Sequence, residues 1–302
     1  MKKTIAIITS DPDSINYEII KKSLFFLKKK TKNNYLFIGS KKLLIENEIA
    51  IKNLNLQNIE WSKTKSKKKY LNESFYEFFD LYKKKKVHAL INLPLNKKDF
   101  LNNSYPGVTE YIADMYGCLG KESMLLYSSI FSVCPLTTHV RIKDVSKEIN
   151  IRKIENSYNN IVKFYKNIVK ISQPKIGILG LNPHNSVDFF QNSEEEKIII
   201  PAINKLKKNS NSKIFGPISP DASFMEREKE NINCLIGLYH DQVLSTFKYI
   251  NKFSGINITL GLPFIRMSPD HGTGINIKGK NKANPESFLY CLNFFEKYYK
   301  SL

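Results

Sequence analysis

The sequence predicts an α/β protein whose strands run mostly parallel, divided into two lobes. Two observations carry that expectation. Short apolar, β-branched runs alternate with longer charged segments whose apolar residues recur at helical spacing. The chain is also 302 residues long and 42% hydrophobic, too long for one small domain and able to fill two cores.

Taken in order, residues 4–9 read as the first strand and 17–28 as an amphipathic helix. Residues 35–38 form a second strand that stops at Gly39 and Ser40, and residues 87–93 a third that stops at Pro94, with a helix starting near Asn96. Residues 123–128 and 130–137 read as consecutive strands around a tight turn, and 175–180 and 234–238 as buried strands, each preceded by helical sequence. In open parallel sheets ligands bind beyond the carboxyl ends of strands, so the residues just after each strand carry the functional reading.

Composition narrows the classes. Lys and Arg number 47 against 28 acids, a formal charge of +19. The excess is mostly Lys, in runs such as 28–30, 67–69 and 83–86, and reads as a solvated basic surface; no aromatic recognition motif accompanies it, so no specific nucleic-acid partner is expected. No apolar run approaches the roughly 20 residues of a membrane span, and the start of the chain is too short for a signal-peptide core, so a cytoplasmic protein is expected. Cys118, Cys134, Cys234 and Cys291 include no C-x-x-C pair and read as free thiols. Neither G-x-G-x-x-G nor a P-loop is present, so any nicotinamide cofactor must be held by a different loop arrangement.

Of five histidines, His139, His184 and His240 each follow an expected strand. Neutral imidazole is the commonest side-chain ligand of divalent transition metals, and three at one rim would hold a cation with positions left open for substrate. Each taken alone reads better as a structural or surface imidazole, and it is the three at equivalent strand ends that shift the reading towards a site. Asp241 beside His240 suits an orienting acid or proton acceptor, and Asp221 lies in a loop. Lys248, Asn257 and Arg266 offer two cations and an amide, which suits an anionic, phosphate-bearing ligand.

These segments resemble the 4-hydroxythreonine-4-phosphate dehydrogenase family: Thr137-Thr138-His139, Gly180-Leu181-Asn182-Pro183-His184, Gly216-Pro217 with Asp221 and Phe224, Tyr239-His240-Asp241-Gln242, and the stretch 255–274. The resemblance runs in order along nearly the whole chain. It implies two α/β/α lobes with a cleft between them, as in the isocitrate and isopropylmalate dehydrogenases. The expected division is 1–100 with 240–302 for the first lobe and 101–239 for the second, which carries dimer contacts. It also implies a homodimer in which both subunits build each active site, and one divalent ion (zinc, cobalt or magnesium) on His139, His184 and His240. Substrate contacts fall on Thr109, Lys248, Asn257 and Arg266, and the candidates for general base are Asp241, Asp221 and Lys97.

The implied reaction is NAD- or NADP-dependent oxidation and decarboxylation of 4-phosphohydroxy-L-threonine to 3-amino-2-oxopropyl phosphate, in pyridoxal 5'-phosphate synthesis. The chain departs from the family in several places. The glycine-rich first loop is replaced by residues 11–18, a histidine before Thr109 by Val108, a threonine by Asn92, and a glycine-rich run after His184 by residues 185–189, while Glu194 and Glu195 match. Three other readings follow: a dehydrogenase of another phosphorylated hydroxy acid, a non-catalytic relative without cofactor loops, and a nucleic-acid-binding protein.

Overall fold

The structure, a computed structural model, describes residues 2–27, 29, 31–62, 64, 66–102, 104–187 and 191–301. Lys28, where the sequence ends its first helix, and Asp188 and Phe189, in the altered run after His184, lie outside the described residues. The chain forms two compact units, Met1–Tyr111 with Phe253–Asn257 and Pro263–Leu302, and Ile112–Lys252 with Ile258–Leu262. The sequence expectation divided the chain at 100 and 240 instead. Helix His240–Asn251 falls in the second unit.

The first unit contains β1 (Thr4–Ile8), α1 (Asn16–Leu27), β2 (Asn34–Gly39), α2 (Lys41–Glu46), β3 (Asn55–Asn58), α3 (Lys67–Lys83), β4 (Ala89–Asn92) and α4 (Lys97–Leu101). Helix α5 (Val108–Met115) begins in this unit and ends in the second. Its strands lie in the order β3-β2-β1-β4 followed by a late strand, Ile265–Pro269, and every recorded pairing among them is parallel. All four residues of β4 and four of the five in β1 are buried, the signature of central strands covered on both faces. Phe75 of α3 stacks on Phe100 at 5.2 Å and meets Tyr111 edge-on at 5.6 Å, and Phe78 meets Phe264 at 5.0 Å.

The second unit contains β5 (Ser123–Tyr127), β6 (Ser132–Pro135), α6 (Val145–Glu148), α7 (Ile151–Phe164), β7 (Ile176–Leu179), α8 (Ile200–Asn209), β8 (Ile214–Ile218), α9 (Ser223–Glu230), β9 (Cys234–Gly237) and α10 (His240–Asn251). Strand order is β5-β6-β9-β7-β8. Strands β5 and β6 pair antiparallel, the tight turn read from sequence, and the other recorded pairs are parallel. Strand β10 (Ile256–Leu260) is divided, its first two residues in the first unit and the rest in the second. The late strand of the first unit is β11 (Ile265–Pro269), and α11 (Glu286–Lys297) closes the chain.

The α/β class and mostly parallel pairing are as the sequence predicts. Six of the seven strands read from sequence are shorter than predicted, among them 87–93, 123–128 and 130–137, which are Ala89–Asn92, Ser123–Tyr127 and Ser132–Pro135. Val87 and Leu93 flank the first of these and Ile130, Phe131 and Leu136 the last, apolar residues that lie outside the strands.

Candidate active site

In the second unit, β6, β9, β7 and β8 lie side by side and parallel, so their carboxyl ends share one rim. His139 follows the end of β6, His240 the end of β9, and His184 the end of β7, while Asp221 follows β8. Neighbouring strands are about 4.8 Å apart, so the three strands that lead to these histidines span roughly 10 Å.

Side chains stitch these ends together. Leu136 donates its amide to the Gly237 carbonyl at 2.7 Å and Thr137 Oγ1 donates to Leu238 at 2.8 Å, joining β6 to β9. Gln242, in the first turn of α10, accepts from the Leu238 amide at 2.6 Å and donates to the Gly180 carbonyl at 2.8 Å, joining β9 to β7. The Gly180 amide donates to Ile218 at 2.9 Å, joining β7 to β8. A Cβ at Gly180 would meet Asn185 Oδ1, so a larger residue there would require the Asn185 side chain to shift.

His139 and His184 are exposed and His240 is partly so. Asp241 Oδ1 sits 2.6 Å from His240 Nδ1; when that nitrogen carries the proton, Nε2 is left as the lone-pair donor. Asp241 and Lys248 are seven residues apart and both exposed, on one face of α10. Ser219 donates to Asp221 at 2.6 Å and, as the main cause, holds that carboxyl below its ordinary range; the nearby His184 acts in the same direction. In chemistry the donor set fits a divalent transition ion. Among the described residues, no group of three or more His, Cys, Asp or Glu side chains is gathered at ligand spacing within one copy of the chain.

The loop carrying His184 has an unusual backbone. His184, Asn185 and Ser186 have φ of 51°, 56° and 60°, three successive residues with side chains in the left-handed region, each at a cost of roughly 1 kcal/mol or more. Glu195, 1% exposed, accepts hydrogen bonds from both flanks of that loop. Burial alone would raise the Glu195 carboxyl, but the bonds from Asn182 and Ser186 outweigh it and hold the group below its ordinary range.

In the first unit, Arg266 on β11 is 3% exposed. Its Nε donates to Asn92 Oδ1 at 2.7 Å and Nη1 to Thr109 Oγ1 at 3.2 Å. Burial pulls its pKa down to about 10, opposed by the Glu110 carboxylate, so the guanidinium is charged at neutral pH. Asn257, on β10, keeps a buried Oδ1 that has no hydrogen-bond partner. Val108, 7% exposed, presents only methyl groups. Lys97 is exposed on α4, behind Asn96, which caps the helix and donates its amide to Asp11 at 2.9 Å.

The structure thus gathers Thr109 and Arg266 in one unit, and His139, His184, His240, Asp221, Asp241 and Lys248 in the other. Sequence reasoning gave Asn92 no role and missed the structural parts played by Glu195, Ser186 and Gln242. Gln242 belongs to the Tyr239–Gln242 motif, and Glu195 to the matching Glu pair. Nothing in their spacing shows what they bond.

Comparison with known proteins agrees with this geometry. The family described as pyridoxal phosphate biosynthetic protein PdxA matches residues 3–294. A 4-hydroxythreonine-4-phosphate dehydrogenase of Sulfurihydrogenibium sp. is 36% identical over 94% of this chain and 95% of that one. That of Wigglesworthia glossinidia brevipalpis is 40% identical over 67% of this chain and 61% of its own. The crystal structure of the Klebsiella pneumoniae 4-hydroxythreonine-4-phosphate dehydrogenase superposes with a TM-score of 0.81 at 26% identity, over 97% of this chain and 98% of that one. An isocitrate dehydrogenase from Methylococcus capsulatus shares the fold alone, with a TM-score of 0.51 at 11% identity over 98% of this chain and 85% of that one. Matched along nearly its full length by the family pattern and by a relative above one-third identity, the chain belongs to the pyridoxal phosphate biosynthetic protein PdxA family.

Proposed function

We propose that the chain is a metal- and NAD(P)-dependent dehydrogenase that oxidises 4-phosphohydroxy-L-threonine, with loss of carbon dioxide, to 3-amino-2-oxopropyl phosphate. The observation that carries this reading is the placement of His139, His184 and His240 after three neighbouring parallel strands. A divalent cation on those imidazoles, zinc, cobalt or magnesium, supplies Lewis acidity towards the substrate hydroxyl. A bound nicotinamide, NAD or NADP, would supply the hydride acceptor. Three imidazoles favour zinc or cobalt over magnesium, which prefers oxygen ligands.

The chain's own residues do the rest. Arg266, pre-set by Asn92 and Thr109, offers a charged fork to an anionic end of the substrate, and Lys248 and Asn257 add a cation and an amide. Asp241 holds the His240 ring through Nδ1. Asp241, Asp221 and Lys97 are the candidates to take the hydroxyl proton; the two acids lie in the same unit as the imidazoles, and Ser219 donates a hydrogen bond to Asp221. Since one copy gathers no three-ligand group among the described residues, the working enzyme is proposed to be a homodimer that completes the centre. Its four cysteines are free thiols, as suits the cytoplasm.

The test is NAD(P) reduction by the purified chain with added zinc or cobalt, against a panel of phosphorylated hydroxy acids. His240→Ala should abolish metal-dependent turnover, and retained turnover in that variant would remove the metal role. Val108 favours one second reading, a dehydrogenase of a different phosphorylated hydroxy acid, since no imidazole contacts the substrate there. A better substrate elsewhere in the panel would select it.

A further inference from the structure

Glu195 takes no part in the chemistry above, yet its surroundings are specific. It stands at the head of a π-helical turn, Glu195–Ile199, that leads into α8, and such turns often mark functional sites. Oε1 accepts the backbone amides of Leu181 at 2.7 Å and Asn182 at 2.8 Å. Oε2 accepts Asn182 Nδ2 at 2.9 Å and the Ser186 hydroxyl at 2.8 Å. These four donors lie on either side of His184 in sequence. A further bond, Asn185 Nδ2 to the Pro217 carbonyl at 3.0 Å, ties the same loop to the end of β8. Three consecutive left-handed residues persist only where the surroundings over-determine them, and here the buried carboxylate is the shared acceptor.

We propose that Glu195 is a positioning residue for His184: its carboxylate clasps both flanks of the loop and fixes the direction of the imidazole beyond β7. The proposal rests on the reading of His184 as a metal ligand. Ser186 adds a hydroxyl donor to the clasp from the far side of His184. A hydroxyl there recovers, through one bond to Glu195, order that the backbone conformation opposes. Only a carboxylate can accept all four donors. A glutamine has one acceptor oxygen, and its amide NH₂ would face either two backbone N–H groups or the Asn182 amide and Ser186 hydroxyl.

The test uses the full chain and Co²⁺, titrated by visible absorption, with Glu195→Gln, Ser186→Ala and His184→Ala beside the parent. Loss of an outer partner of a ligand typically weakens metal binding by about 10–100-fold. Glu195→Gln should fall in that range, Ser186→Ala should show a smaller loss, and His184→Ala should bind most weakly. Hydrogen exchange of the Leu181 and Asn182 amides, followed without metal, should quicken in Glu195→Gln. If Glu195→Gln does not fold, Ser186→Ala carries the test alone. Parent-like Co²⁺ affinity in both clasp variants, with binding lost in His184→Ala, overturns the proposal. Equal binding by the parent and His184→Ala overturns the metal reading instead. The two failures are told apart because amide protection still separates the parent from Glu195→Gln in the second case.

Discussion

Arg266 shows how much a single side chain can depend on its neighbours. A guanidinium that is 3% exposed must have its donors met inside the protein, and Asn92 meets Nε at 2.7 Å while Thr109 meets Nη1 at 3.2 Å. Replacing Asn92 with Ala leaves a charged donor buried without that acceptor. The expected loss is about 1–3 kcal/mol of stability, measured by urea unfolding, together with a raised KM for phosphorylated substrate. Unchanged stability in Asn92→Ala would mean that Nε finds water there.

Helix α3 makes a comparable point for an element. The sequence reads the Lys67–Lys69 run as a solvated basic face, but Lys67 is 26% exposed and lies 2.6 Å from Asp13, 3.2 Å from Asp99 and 3.8 Å from Asp11. A lysine in the first turn opposes the helix dipole, and three carboxylates from the loop after β1 and from α4 offset that. Lys67, through its hydrogen bond, is the main cause holding the Asp13 carboxyl below its ordinary range, with Lys278 adding to it. A depressed carboxylate contributes stability above its unfolded pKa and loses it as pH falls through the folded value. Lys67→Met should therefore lower Tm at pH 7, by roughly 2 °C for about 1 kcal/mol from a partly exposed network. The gap from the parent should close as pH drops below the ordinary aspartate range. A gap that stays constant down to acid pH would assign the loss to packing rather than charge.

For the whole molecule, the net charge of +19 predicts weak, sequence-independent attraction to polyanions. Duplex DNA binding, measured by anisotropy, should fall by about 10³-fold between about 50 and about 200 mM salt; tight binding persisting at the higher salt would revive a nucleic-acid role. Among the described residues no helix is long and apolar enough to cross a membrane. The sequence by itself determined the α/β class, because strand and helix periods differ, and it marked His139, His184 and His240 because each closely follows an apolar strand. It also carried the motifs of the family. Only the tertiary structure decided that β6, β9 and β7 are neighbours, since strand order is a matter of chain crossover and leaves no trace in local periodicity. The same holds for Glu195 beneath His184, for Asn92 against Arg266, and for Lys67 among three aspartates. Each of these is a hydrogen bond or ion pair between residues 9 to 174 positions apart, and the partner of a polar side chain is fixed by where the backbone brings it.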